Sequence, residues 1–434
     1  MNINGFFQRI SRFVLNNPKI VKSFYKTPNY NDEPQLYQYS SQFIDGNSLR
    51  VSMDSIASGT SFDKNSALLK LLGETVERYS LSIYDNSKLI YRSFRELVCK
   101  NKNALNPTGL ALLPQFFKEN KKEALYDIKF YWVIGKSLVT NKNILVPAQL
   151  IFVPYSHSKS EPILQTPIST GAAAGEAIYD ALYRGICEVI ERDSFMIHYY
   201  NKISSPRINP YSLRSKKISK IIRIFERYNL ELCVNDITTD IGVPAVIATV
   251  IDKTGLGPAI CVGLKAGFDM NQNVIGATEE TLMVRSWIRD EYMYLKPKHS
   301  SPRIISTIEE RANFWCPTST IHYLDFWLST RNNGGSYKLC KFRRSSYKEK
   351  VMELIRILKS KGLDIIYIDI TAPEIRKYNV KVVKVIIPQL QPVHLDERYP
   401  YLTFQRLYNA PVNMGILGRP KTFEELNSIP HPFL

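Results

Sequence analysis

The sequence contains no C-x-x-C pair. Its six cysteines, Cys99, Cys187, Cys233, Cys261, Cys316 and Cys340, stand far apart, which argues against a zinc site or a disulfide framework and fits a reducing cytoplasm. No apolar run approaches the ~18 residues needed to span a bilayer. Neither G-x-x-x-x-G-K-[ST] nor G-x-G-x-x-G occurs, so the chain has no P-loop and no dinucleotide fingerprint. Histidine is sparse, and His157, His198, His299, His322 and His394 are scattered. Acidic side chains are outnumbered, 40 Asp and Glu against 57 Lys and Arg, and the net charge of +17 permits an acidic partner such as nucleic acid, an anionic membrane surface or an acidic peptide. The basic residues are spread along the chain without the interleaved aromatics of a nucleic-acid binder, so no nucleic acid is expected.

Core material is ample, at 44 % apolar content over 434 residues. Residues 1–50 read as an N-terminal helix and a polar extension. Within them, residues 5–24 are basic and amphipathic but lack an unbroken apolar run and a cleavage site, so a first helix is favoured over a signal peptide or a peripheral membrane contact. Pro28, Asn29, Asn31, Asp32 and Pro34 mark turns. Residues 51–434 read as the main domain. Strands are expected at Val51–Ser58, Phe130–Ser137, Ile144–Val153, Glu231–Val234, Ala245–Asp252, Ala259–Val262, Leu363–Ile370 and Val380–Ile387. Helices are expected from Ser61 or Asp63 to about Tyr84, and over Ser215–Tyr228, Asn273–Tyr294 and Ser346–Lys361. Gly263–Gly267, Lys296–Arg303, Asn332–Ser336 and the start of Lys341–Lys350 read as loops, the last basic enough to hold an acidic peptide. Without a sustained βαβ rhythm the fold class is α+β, or mixed α/β, with antiparallel-rich sheets.

The stretch that organises the chain is Gly171 to Tyr199. At 3.6 residues per turn, Glu176, Asp180, Arg184, Glu188, Glu191 and Arg192 line one stripe of a helix, with Ile178, Leu182, Ile186, Val189 and Ile190 opposite. Four carboxylates in a row repel by a few tenths of a kcal/mol per pair even when solvated. Two arginines are too few to neutralise them. The missing cation reads as a metal, and hard carboxylate oxygens suit Mg²⁺, which binds alongside phosphates. The competing reading is a solvated acidic face with internal salt bridges.

A second copy weighs against that reading. Ala67–Ser80 (ALLKLLGETVERYS) and Ala181–Ser194 (ALYRGICEVIERDS) share six identical positions, among them Glu74/Glu188, Glu77/Glu191 and Arg78/Arg192. Packing selects an apolar face and has no evident reason to preserve a charged one, so the repeated E-x-x-E-R reads as a shared site. The run Ser169–Gly175 precedes the second helix, and small residues before a helix start let an anion such as phosphate approach the free backbone N–H groups there.

The two E-x-x-E-R helices, the AAG segment of Ala173–Gly175, the Gly263–Gly267 loop and the closing Leu426–Phe433 (LNSIPHPF) resemble the YcaO family, over roughly residues 50–434. The closing stretch is similar to that of its azoline-forming cyclodehydratases. The resemblance implies ATP and Mg²⁺ as cofactors, with Glu74, Glu77, Glu188 and Glu191 as metal and phosphate-proximal carboxylates. It implies that Arg78 and Arg192 contact phosphate or orient the carboxylates, that Asp180 is a further acidic position, and that Ala173 lies against the nucleotide. Glu176 stands where the family often has Asn and is a candidate extra ligand; Met283 replaces a frequent Gln, while Arg285 keeps its place. His431 is the candidate proton carrier because a histidine titrates near neutral pH, and Leu434 ends the chain where the family suggests the terminal carboxylate enters the site.

The activity implied is ATP-dependent cyclodehydration of Cys, Ser or Thr in a ribosomal precursor peptide to thiazoline or oxazoline. The chain shows no ubiquitin-activating-like domain, so a separate leader-binding, E1-like partner is implied, with a flavin dehydrogenase as a further candidate and a homodimer left open. The alternatives are YcaO-type thioamidation, an accessory role in ribosomal-protein modification, or a non-catalytic docking scaffold of the modification complex. A cytoplasmic location follows from the cysteines.

Overall fold

Helix starts are set by side-chain caps. In a computed structural model describing residues 3–17, 20–43, 56–110, 112, 121–158, 160–294, 305–330 and 341–434, Asp63 accepts a hydrogen bond from Ser66 N at 2.8 Å and begins α2 (Lys64–Ser82). The other principal helices are α1 (Ile3–Asn16), α3 (Ile178–Tyr200), α4 (Lys216–Arg227), α5 (Met270–Tyr294), α6 (Ile308–Phe314), α7 (Tyr347–Ser360) and α8 (Gln405–Asn413). Thr307 and Glu310 form a capping box on α6, and Ser346 and Glu349 form one on α7.

The strands are β1 (Val21–Lys26), β2 (Tyr37–Phe43), β3 (Ile56–Ser61), β4 (Ile90–Ser93), β5 (Lys129–Ser137), β6 (Asn143–Pro147), β7 (Ala172–Gly175), β8 (Glu231–Asp236), β9 (Ala245–Ile251), β10 (Ile260–Ala266), β11 (Ile366–Asp369) and β12 (Lys381–Ile386). Every ladder among the described strands is antiparallel. This is the α+β, antiparallel-rich class expected from the sequence.

The chain divides into two compact units, each discontinuous in sequence. The first, residues 1–27, 37–189 and 346–389, holds a three-stranded sheet β1-β2-β3 and a sheet ordered β4-β5-β11-β12-β7 with β6 also on β5. Its core includes Phe6, Ile10, Phe13 and Val14 of α1, so that helix packs inward through a stripe at steps of four, three and one. The membrane-contact alternative for residues 5–24 loses its apolar face to this core; they are α1, a connection and the start of β1. The second unit, residues 28–36, 190–345 and 390–434, holds the sheet β10-β9-β8, with β9 buried along its whole length and α5 packed on β9 and β10.

Three expectations are corrected. Gly263–Ala266 is not a loop: the residues pair with Ala248–Ala245 as the second half of β10. A Cβ on Gly263 would meet the carbonyl of Ala277 on α5, so glycine permits the strand to lie against that helix. The Ala172–Gly175 run, expected to lead directly into a helix that includes Glu176, is β7, paired with Lys381–Lys384, and α3 begins only at Ile178. The strand expected over Ile144–Val153 ends at Pro147 and passes into a 3₁₀ turn at Ala148–Leu150. The loops at Lys296–Arg303 and Asn332–Ser336, and residues 51–55 of the first expected strand, lie outside the described residues.

Candidate functional site

In the first unit, α2 buries Ala67, Leu71, Leu72, Thr75, Val76 and Tyr79, which turns Glu74, Glu77 and Arg78 to another side. Glu74 accepts hydrogen bonds from Ser58 N at 3.3 Å and Arg78 Nε at 2.7 Å. Glu188, on α3, accepts from Gly171 N at 3.2 Å. Glu77 accepts no hydrogen bond among the described residues. Its carboxyl is held well above the usual range by loss of solvent and by the neighbouring charges of Glu188 and Glu74, with Arg78 and Lys384 opposing. The two acidic helices of the sequence therefore do bring Glu74, Glu77 and Glu188 together.

Lys384 was not visible as a site residue in the sequence. It sits in the Val-rich β12, is buried, and donates from Nζ to the carbonyls of Ile168 at 2.6 Å and Thr170 at 2.7 Å. Burial pulls its ammonium down to about 8, against the attraction of Glu188 and Glu77. Three carboxylates thus face Lys384 and an Arg78 already engaged with Glu74. A hard divalent cation fits this donor chemistry and the carboxylate that lacks a donor.

The second unit holds a cluster around Glu191 and Arg192. Glu191 is buried and accepts from Arg192 Nη1 at 2.7 Å and from Ala266 N at 3.1 Å, with Lys265 Nζ at 3.9 Å. Glu280 on α5 accepts from Leu264 N at 2.6 Å. Burial, opposed by Arg192 and reinforced by Glu191, lifts the Glu280 carboxyl to about 7. Leu264 and Ala266 alternate along β10, an outer strand of its sheet, so their N–H groups leave the open edge together and both end on carboxylates. The Arg192 guanidinium lies over the Phe433 ring, 4.1 Å from its centroid. Glu280 and Lys265 were missed in the sequence because Gly263–Gly267 read as a loop.

Several expected site residues have other partners. Glu176 precedes α3 and is ion-paired with Arg9 at 2.8 Å, so it does not extend the helical stripe. Asp180 accepts from Glu176 N at 3.2 Å and Arg184 Nε at 2.8 Å, closing the first turn of α3. Ala173 is buried in the ladder opposite Val383. Arg285 donates to Glu33, to Asp252 at 2.7 Å and to the Pro258 carbonyl at 2.9 Å, which uses most of its guanidinium. Leu434 is half-buried.

His431 corrects the expectation of a proton carrier near neutral pH. It is fully buried, with Nε2 2.6 Å from the His394 carbonyl, and burial, Arg311 and His394 hold its pKa well below the ordinary histidine value. Among the described residues, His394, Glu397 and His431 are the set of donors drawn close enough to share an ion, all within 4.8 Å. The Arg311 guanidinium already stands there, 2.8 Å from Glu397 Oε1 and donating to the His431 and Leu395 carbonyls. That set is a charge-compensated knot holding the PHPF segment. The carboxylates expected to hold metal are not drawn together as tightly among the described residues.

The fold and these clusters define a carboxylate-rich α+β protein. A family model described as YcaO cyclodehydratase, binding ATP and Mg²⁺, matches residues 58–391, and the chain belongs to the YcaO family. ATP and Mg²⁺ are accordingly its cofactors. An uncharacterised protein of Methanothermobacter thermautotrophicus is 26 % identical over 280 residues, covering 61 % of this chain and 66 % of the relative. A heterocyclase solved in complex with substrate and cofactor superposes with a TM-score of 0.77 at 21 % identity, covering 99 % of this chain and 57 % of that one. The YcaO protein of Methanopyrus kandleri, bound with AMPPCP and Mg²⁺, superposes with a TM-score of 0.65 at 16 % identity, covering 90 % and 92 %. Identities this low establish the fold alone, and the chain spans little more than half of the heterocyclase. No helix among the described residues is long and apolar enough to cross a membrane.

Proposed function

We propose that the protein is an ATP-dependent cyclodehydratase that converts Cys, Ser or Thr of a ribosomal precursor peptide to thiazoline or oxazoline. The observation that carries this reading is Glu77, a carboxylate without a donor set among Glu74, Glu188 and Lys384. Glu74, Glu77 and Glu188 of the first unit would hold Mg²⁺, and Glu191 is the second unit's candidate carboxylate. Arg192, kept flat by the Phe433 ring, and Arg78 would meet phosphate oxygens, for which a guanidinium fork is suited.

In the reaction, the side-chain thiol or hydroxyl attacks the preceding carbonyl, the resulting oxygen is phosphorylated, and phosphate leaves as the ring forms. Magnesium-bound ATP would supply the phosphoryl group and the charge neutralisation for its transfer. The protein's share is positioning and charge compensation. Glu74 and Glu188 are oriented by backbone N–H groups, and Lys384 offsets the negative charge of Glu188 and Glu77. A separate leader-binding partner would present the peptide, and the family described as cyclodehydratase supports this role.

The test is intact-mass analysis of a Cys/Ser/Thr-rich precursor peptide incubated with the protein, its partner, ATP and Mg²⁺. One water is lost per ring, and Glu188→Gln abolishes the loss while the circular dichroism spectrum stays unchanged. Replacement of oxygen by sulfur would identify thioamidation instead, and an unmodified peptide would refute both.

A further inference from the structure

We propose that α4 carries a docking site for an acidic stretch of a partner polypeptide, a role separate from the carboxylate clusters and independent of the reaction assigned to them. The helix is seated on the second unit by Ile218, Ile221 and Phe225, all buried, and Ser215 caps its start. Its other side surrounds an open surface cavity of about 410 Å³ lined by Arg214, Ser215, Lys216, Ser219, Lys220 and Arg223. All four cations are exposed, and none has an anionic partner among the described residues. Lys217, one position away, is paired with Glu279 at 3.6 Å. The fold therefore neutralises a lysine on this helix where packing requires it and leaves four like charges around one hollow.

The geometry selects the partner. Lys216, Lys220, Arg223 and Arg227 follow at steps of four, three and four, a stripe about 16 Å long with a cation at each turn of ~5.4 Å. Carboxylates on alternate residues of an extended chain recur every ~6.7 Å, close enough to meet that stripe with small side-chain adjustments. No aromatic ring lines the cavity, so bases would have nothing to stack on. Ile218, Ile221 and Phe225 of α4 are buried and Ile222 and Ile224 half-buried, so the helix offers no fully exposed apolar side chain to a lipid headgroup layer.

The test uses the full-length chain and a fluorescein-labelled dodecapeptide of alternating Glu and Ser, followed by anisotropy at low and physiological salt. Reversing the four charges (Arg214→Glu, Lys216→Glu, Lys220→Glu, Arg223→Glu) weakens binding by about tenfold or more, and the wild-type affinity falls steeply with salt. A control with the same change in net charge (Lys102→Glu, Lys142→Glu, Lys359→Glu, Lys361→Glu) stays within about twofold of wild type. If the reversed protein fails to fold by circular dichroism, glutamine at the same four positions decides, with a smaller loss in the same direction. Equal weakening by the control overturns the proposal. So does peptide binding that the α4 variants leave unchanged, or tighter α4-dependent binding of oligothymidylate, anionic vesicles or inorganic phosphate.

Discussion

Replacing Glu77 by glutamine should stabilise the cofactor-free protein and abolish its response to magnesium nucleotide. Glu77 is surrounded by Glu74 and Glu188 and has no hydrogen-bond donor among the described residues, so its ionised form is unfavourable in the folded state. The folded pKa is raised above the unfolded one. Glu77 therefore contributes stability at acid pH, below the unfolded value of 4.5, and loses it as pH rises through the raised folded value. At neutral pH the carboxylate is a net cost, and glutamine removes it. A like-charge pair one turn apart costs roughly 0.2–0.5 kcal/mol on an exposed helix. Two such neighbours and partial burial bring the gain to about 1 kcal/mol, or some 2–4 °C for a unit of this size. Wild-type protein should in turn gain ~2.7 kcal/mol when Mg²⁺ and ATP are present at a hundred times the dissociation constant. Differential scanning fluorimetry in chelated buffer, then with Mg²⁺ and ATP, measures both effects. A Glu77→Gln protein that melts lower without ligand, or keeps the full nucleotide shift, would refute the reasoning.

Other residues give simpler expectations. Asp193 is fully buried, with Arg406 donating at 2.6 and 2.8 Å and Gln391 N at 2.8 Å; Asp193→Asn leaves Arg406 with Asp240 as its remaining carboxylate and should cost ~1–3 kcal/mol in urea unfolding, and an unchanged midpoint would contradict the pairing. Gly263→Ala would place a Cβ 2.7 Å from Thr281 N and 2.9 Å from Glu280 Cβ, so β10 and α5 must separate, at about 1–3 kcal/mol by the same assay. His198 is fully buried, and its pKa is lowered from 6.5 to about 4. It stabilises the fold above 6.5, and that contribution is lost as pH falls from 6.5 toward 4, by up to ~3 kcal/mol at ~1.4 kcal/mol per pH unit. His198→Phe should flatten this part of the stability-versus-pH curve, and an unchanged slope would assign the acid sensitivity elsewhere.

Much of the fold was legible because its signals are local. Asp63, Ser215 and Ser346 announce α2, α4 and α7 through side chains that cap the next turn. The E-x-x-E-R repeat pointed to Glu74, Glu77 and Glu188, which do meet. What was illegible depends on partners distant in sequence. Ala172–Gly175 reads as a small-residue approach to a helix until β12 is present to pair with it, and Glu176, which reads as part of the helical stripe, then falls outside the helix and within reach of Arg9. Gly263 reads as a loop until α5 lies against it. Lys384 is one cation in a valine-rich strand, and nothing local marks it as the counter-charge of two glutamates. His431 stands in a conspicuous motif, yet its burial beside Arg311 sets its chemistry.

The repeat itself needs a second explanation beside catalysis. The edge strands β3 and β10 each end a backbone N–H on a glutamate of the helix that follows, Ser58 on Glu74 and Leu264 on Glu280, and Gly171, just before the edge strand β7, does the same with Glu188 on α3. Packing can therefore retain a charged residue, since a carboxylate there satisfies a donor that the sheet leaves open. Glu77 receives no such donor, so it is the member of the pair on α2 that structure alone does not account for. The two glutamates should respond to mutation with opposite sign. Glu74→Met leaves Ser58 N–H without its acceptor and should destabilise the cofactor-free protein by about 1–3 kcal/mol, while Glu77→Gln, one turn away, stabilises it. If both substitutions lower the melting temperature in chelated buffer, Glu77 is a structural residue like its neighbour and the magnesium site loses its strongest support.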